Sequence, residues 1–97
     1  MAIVAVFQDP SLTRKKYEDG ISSMMNGKTR PESPGDWPVK GLLAHIAGDG
    51  PNGFRVVDVW ESEESFQKFG ETLMPIMEKL GIKVEPEIYP PLAFVAA

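Results

Sequence analysis

His45, Asp58 and Trp60 are the residues of this chain whose types and spacing could do chemistry. His45 is the only histidine in 97 residues, and an imidazole is the side chain best suited to take up and return a proton near neutral pH. Asp58 could accept the imidazole's ring proton and so raise its basicity, while Trp60 offers a flat apolar wall with one donor, a surface that suits an aromatic substrate. Each has a plainer reading. The histidine can line an interior or a subunit seam, the aspartate can pair with Arg55 of a neighbouring chain or cap a loop, and the tryptophan can simply pack. Trp37, beside Pro38 in a long loop, is either a lid over a pocket or a hydrophobic plug. Phe54, Val56 and Leu43, on the strands that carry the histidine and the aspartate, complete the set expected to contact substrate. Tyr17 and Tyr89 could direct hydroxyls at a substrate oxygen, but Tyr17 falls on the buried stripe of a helix and is expected in the core. Met24, Met25, Met74 and Met77 read as flexible core filling.

The elements that must position these residues can be read in order. Ile3 to Phe7, apolar on both faces, reads as a central strand. Asp9-Pro10-Ser11 breaks it, and Tyr17, Gly20 or Ile21, and Met24 or Met25 then recur at helical spacing in a helix of about Leu12 to Asn26, stopped by Asn26-Gly27. The stretch Gly27 to Pro38 holds three prolines and two glycines and is expected to be an irregular loop. Gly41 to Ala47 and Phe54 to Glu61 are two strands joined by Gly48-Asp49-Gly50-Pro51-Asn52-Gly53 as a wide hairpin loop. Ser62 can cap a second helix, with Glu63 and Glu64 at its positive end and a stripe of Phe66, Phe69, Leu73, Ile76, Met77 and Leu80 before Gly81. Pro75 lies inside that stripe and predicts a kink or short break near Leu73 to Pro75. Lys83 to Val95 reads as a last strand, interrupted by prolines, that lies at a sheet edge or crosses to a partner chain.

The order β-α-β-β-α-β predicts an α+β, ferredoxin-like domain over residues 1–97, with a four-stranded antiparallel sheet and both helices on one face. Strand alternation places Phe54, Val56, Asp58 and Trp60 on one face of the third strand. If Ala47 lies opposite Phe54, His45 joins them. The complementary set Leu42, Ala44, Ile46, Val57 and Val59 is apolar and expected to pack under the helices, leaving the polar-bearing face to cover something else. A one-residue slip of the hairpin would separate His45 from Asp58.

Composition narrows the function classes. With 42% hydrophobic and 25% charged residues the chain has soluble-domain composition. A chain this short leaves apolar surface uncovered, so a homodimer is expected. The net charge of −4 argues against a sequence-independent nucleic-acid binder, and the one basic run, Arg14-Lys15-Lys16, reads as a solvated helix face. There is no cysteine, so disulfides, thiolate metal sites and a Cys nucleophile are excluded. One histidine and carboxylates clustered at a helix start make no metal site, and none is expected. The GDGPNG segment links two strands and opens no helix, so it is no phosphate cradle. No serine sits on a strand-to-helix elbow with flanking glycines. The apolar run Ala2 to Phe7 is too short for a signal core or a membrane span, so no membrane partner and a cytoplasmic location are expected.

The element order over nearly the whole chain, together with the run Val57-Asp58-Val59-Trp60-Glu61-Ser62-Glu63-Glu64-Ser65-Phe66 at a strand-to-helix junction, resembles the dimeric α+β barrel superfamily, especially the antibiotic-biosynthesis monooxygenase-like domain. The resemblance implies two subunits joined through their open sheet faces, with a pocket between the sheet and helices of each. It also implies an activity: cofactor-independent oxygenation, in which the enzyme deprotonates an electron-rich phenolic metabolite that then reacts with dioxygen itself. His45 would be the base, Asp58 its orienter, and Trp60 with Trp37 the walls. No cofactor is expected. The haem-degrading branch is not matched, since the first strand has no Asn and its only polar residue is Gln8 at the end. The alternative is a non-catalytic barrel, a binding or stress-related protein whose interior these residues stabilise.

Overall fold

The computed structural model describes the whole chain, Met1–Ala97. Ile3–Phe7 forms β1, buried along its whole length, and it pairs antiparallel with β3 (Gly53–Trp60) on one side and β4 (Glu87–Tyr89) on the other. β2 (Leu42–Gly50) pairs antiparallel with β3, giving the sheet order β2-β3-β1-β4. Between β1 and β2 lies α1 (Arg14–Met24), whose first turn is capped by the Thr13 hydroxyl accepting from the Lys16 amide at 3.2 Å. Between β3 and β4 lies α2 (Glu63–Leu80), capped by Ser62 at its start, with Glu63 and Glu64 in the first turn, and closed by Gly81 in the left-handed conformation. This is the expected ferredoxin-like α+β arrangement.

Four details differ from the sequence reading. The hairpin is tighter: β2 and β3 extend to Gly50 and Gly53, leaving only Pro51-Asn52 as the turn, because Gly53 can take φ 111°. Ala47 therefore faces Val56 rather than Phe54, a shift of two that preserves the face of every side chain, and His45 pairs directly with Asp58. Helix α2 runs unbroken through Pro75. The carbonyl that the proline leaves without its donor belongs to Glu71, and both residues are exposed, so water can satisfy it. Finally, only Glu87–Tyr89 of the last segment is strand, at the sheet edge, with Leu92 fully exposed beyond it.

The largest correction concerns which face the helices cover. The expectation that Leu42, Ala44, Ile46, Val57 and Val59 pack under the helices is reversed. Phe54, Val56 and Trp60 of β3 join Ile3, Ala5 and Phe7 of β1 in one core with Phe66, Phe69 and Met77 of α2 and Ile21 of α1. Ala44, Val57 and Val59 sit on the other face with Val4 and Val6, and Ile46 there is 67% exposed. Aromatic bulk decides the matter, since the face with two aromatic rings removes more apolar area from water when the amphipathic helices close over it. Leu42 is an exception that the bulge explains: the register passes from Leu42↔Trp60 to Ala44↔Val59, so Leu43 is the extra residue and Leu42 turns into the core.

Gly41 sets the junction of this bulge with α2. It has φ 112°, and a β-carbon there would lie 2.6 Å from the Ser65 hydroxyl oxygen, while its carbonyl accepts from the Glu61 amide at 2.8 Å. Gly48, by contrast, has nothing within 4 Å of a β-carbon and no positive φ. Gly41→Ala should therefore lower stability by about 2 kcal/mol or more in denaturant unfolding, whereas Gly48→Ala should be neutral within about 0.5 kcal/mol.

Candidate functional site

Asp58 is the one charged residue buried in the core, 2% exposed on the helix-covered face of β3. A carboxylate there must find donors, because burying it unpaired costs several kcal/mol. It finds two. Its Oδ1 accepts from the His45 ring at Nδ1, 2.6 Å away on the directly paired residue of β2, and its Oδ2 accepts from the Trp60 indole N–H at 3.4 Å. A carboxylate can only accept, so His45 carries its proton on Nδ1 and presents the lone pair of Nε2 outward. That lone pair accepts from the Tyr17 hydroxyl of α1, 2.6 Å away. Asp58, His45 and Tyr17 thus form one hydrogen-bonded line from the sheet into the helix layer.

The rings around this line hold it in place. Tyr17 lies nearly parallel to His45, with centroids 5.8 Å apart, and packs at 5.1 Å against Phe54. Trp37 meets His45 edge-on at 4.7 Å. Burial, and after it the negative charge of Asp58, pushes the Tyr17 phenol up to about 12. The loop that delivers Trp37 is braced by Asp36, whose Oδ2 accepts from the amides of Glu32 and Ser33 and whose Oδ1 accepts from Lys28. The Glu32 amide first, then the Lys28 ammonium and the Ser33 amide, hold the Asp36 carboxyl below its ordinary value. Trp37 is 8% exposed and buried against the His45 ring.

Two hollows meet at the Tyr17–His45 contact. The inner one, a small cavity of about 70 Å³, lies between the sheet and the two helices, and 13 of its 17 lining residues are hydrophobic. The other four are Lys16, Gly20, His45 and Asp58, and Tyr17 stands among the thirteen. The outer one, a cleft of about 360 Å³, is lined about equally by polar and apolar surface and is bordered by Arg14, Glu18, Arg30 and Phe54. An apolar chamber with a few convergent polar groups is the usual form of a small-molecule site.

The residues singled out from sequence fall differently about these hollows. His45, Asp58, Trp37 and Val56 all border the inner cavity. Phe54 faces the outer cleft instead. Trp60 is fully buried against Phe69, with ring centroids 4.9 Å apart, and borders neither hollow, so its part is to position Asp58 and not to contact a ligand. Leu43 is the bulged residue, 44% exposed and away from both hollows. Tyr17, expected to be core, is the residue sequence reasoning missed, although one signal was present. A covered imidazole needs a partner on each nitrogen, and Tyr17 is the only residue of the α1 stripe with a hydroxyl to offer. Lys16 also departs from expectation: Arg14 pairs with Asp49 and Lys15 with Asp19 on the surface, but Lys16 borders the cavity. No helix is long and apolar enough to cross a membrane.

No protein-family profile matches this chain, and no curated protein matches it by sequence. Solved structures do match. A protein described as a candidate antibiotic biosynthesis monooxygenase from Chloroflexus aurantiacus J-10-fl superposes with a TM-score of 0.51 at 12% identity, covering 98% of this chain and 95% of that one. SnoaB, described as a cofactor-independent oxygenase from Streptomyces nogalater, superposes with a TM-score of 0.56 at 12% identity, covering 99% and 96%. Over its whole length the chain therefore has the fold of the antibiotic biosynthesis monooxygenase-like proteins.

Proposed function

We propose that this chain is a homodimeric small-molecule-pocket protein acting as a cofactor-independent, monooxygenase-like enzyme on an aromatic, phenolic substrate. The observation that carries the reading is the Asp58–His45–Tyr17 line, whose three residues all border an apolar cavity. The fold shared with a protein described as a cofactor-independent oxygenase supports it.

The line dictates the order of events. Nε2 of His45 is already occupied by Tyr17, so a bound phenol donates to the Tyr17 oxygen while Tyr17 passes its own proton to Nε2. The net result is one proton moved from substrate to His45, and the imidazolium so formed is paired with Asp58. A concerted shift avoids a free tyrosinate, which the raised value of Tyr17 disfavours. The phenolate then reacts with dioxygen: the hydroxyarene is oxidised to the quinone, one oxygen atom becomes the second carbonyl, and the other leaves as water with the two hydrogens lost by the substrate. The open sheet face, with Ala44, Val57 and exposed Ile46, is the surface through which two copies would join.

A second reading, a non-catalytic barrel, draws on the fact that no buried side-chain nitrogen or oxygen lacks a partner, since a fully satisfied network can be purely structural. Oxygen uptake with 1,5-dihydroxynaphthalene separates the two. His45→Gln should lower the rate by about 100-fold or more with the melting temperature nearly unchanged. Uptake no faster than the uncatalysed reaction in the unmodified protein, with His45→Gln losing stability, would establish the structural reading instead.

Tyr17 makes a separate prediction about pH. Its folded value of about 12 lies above the ordinary phenol value of 10.0, so its contribution to stability is complete below pH 10 and lost as pH rises towards 12. Wild-type stability should fall more over that window than that of Tyr17→Phe, as read by denaturant midpoints. For assembly, light scattering should show a dimer that Ile46→Asp converts to a folded monomer; a monomeric wild-type protein refutes the dimer.

A further inference from the structure

We propose that the outer cleft, and not the inner cavity, takes the substrate, a flat hydroxyarene of two fused rings; this rests on reading the Tyr17–His45 pair as the place where substrate meets the protein. Both hollows are bordered by those two residues, so size and polarity decide between them. Sites for small organic ligands span roughly 300 to 1,000 Å³, and an engineered apolar cavity of about 150 Å³ holds one benzene. The inner cavity, at about 70 Å³, is too small even for that, whereas the cleft offers about 360 Å³. Polarity gives the same answer. The wall of the inner cavity is almost wholly apolar, so the hydrogen-bonding atoms of the residues around it are turned elsewhere. The cleft wall is shared about equally between polar and apolar surface, and from that side a substrate hydroxyl can donate to the Tyr17 oxygen.

Two links between the same two elements locate the cleft. Tyr17 of α1 meets His45 of β2, and Arg14, one helical turn earlier, meets Asp49 further along β2 at 2.8 Å. Ala47 lies between those two strand positions and alternates onto the same face as His45 and Asp49. It is half-buried and borders the cleft, so a larger side chain there takes room from it. Phe54, paired with Asp49 on β3 and 5.1 Å from the Tyr17 ring, supplies an aromatic wall. Glu18 and Arg30 belong to the polar part of the border. A ring laid against the aromatic wall, with one hydroxyl at Tyr17 and a further polar substituent towards that border, uses both kinds of surface. The inner cavity has its own handle in Gly20, which borders it and not the cleft. A β-carbon on Gly20 would stand 3.7 Å from Leu80 and 3.9 Å from Ile76, in ordinary contact.

Titration calorimetry with 1,5-dihydroxynaphthalene under nitrogen reads binding apart from turnover, and amide chemical-shift mapping of the unmodified protein locates it. Ala47→Phe should weaken binding by about tenfold or more with the melting temperature nearly unchanged. Gly20→Ala, which takes up part of the inner cavity, should leave affinity within about twofold. On binding, the amides of Ala47, Phe54 and Arg30 should shift and those of Leu73, Ile76 and Val84 should not, a readout that stands even where Ala47→Phe does not fold. Undiminished affinity in a folded Ala47→Phe, weakened binding in Gly20→Ala, or shifts confined to the inner set would overturn the proposal and return the ligand to the inner cavity. Binding in the cleft without oxygen uptake in air would remove the oxygenase reading and leave the site standing. No binding to the unmodified protein would remove both.

Discussion

The buried carboxylate of Asp58 is the constraint around which this molecule is arranged. A charge 2% exposed in a 97-residue domain is tolerable only if donors reach it at fixed positions, and here they come from two directions. His45 reaches it because β2 and β3 pair those two residues directly, and Trp60 reaches it from two positions along the same strand. The demand then propagates. Satisfying Asp58 fixes the tautomer of His45, the free lone pair of His45 draws in the hydroxyl of Tyr17, and Tyr17 ties α1 to the sheet. A change of hairpin register by one residue would turn His45 away from both Asp58 and Tyr17.

The same constraint accounts for the shape of the cavity. Helix α2 closes tightly on β3 where Phe66 and Phe69 meet Trp60, but on the α1 side the polar line takes the room that apolar side chains would fill. Gly20 contributes to this, since it presents no side chain where Leu80 and Ile76 of α2 approach. The hollow that remains is apolar along its wall, and Tyr17 and His45 border it. Packing alone would favour a filled core. A polar network kept inside at the expense of close packing is the arrangement expected where chemistry or ligand recognition is maintained.

Much of the fold was legible in the chain because its signals are local. The Ser62 cap with Glu63 and Glu64, the Gly81 stop and the apolar stripe between them define α2 within a residue or two, and Ile3–Phe7 could be nothing but an inner strand. The parity of the hairpin was legible too, since a register shift of two leaves His45 and Asp58 on one face. The direction that face takes was not. Reading polarity alone assigns the apolar Ala44–Ile46–Val57–Val59 set to the helices, whereas the aromatic set actually goes there, carrying its aspartate and histidine with it because α1 supplies the missing donor.

The sequence by itself determined the element order, the parity of the hairpin and the placing of one imidazole and one carboxylate on the same face, because caps, glycines and alternation act over a few residues. Only the tertiary structure decided that Tyr17 completes the line, that Trp60 supports it from behind, and that Leu43 is turned away by a bulge. Those outcomes depend on how a helix face seats on a sheet 28 residues away in the chain, as between Tyr17 and His45, and no local preference encodes that distance.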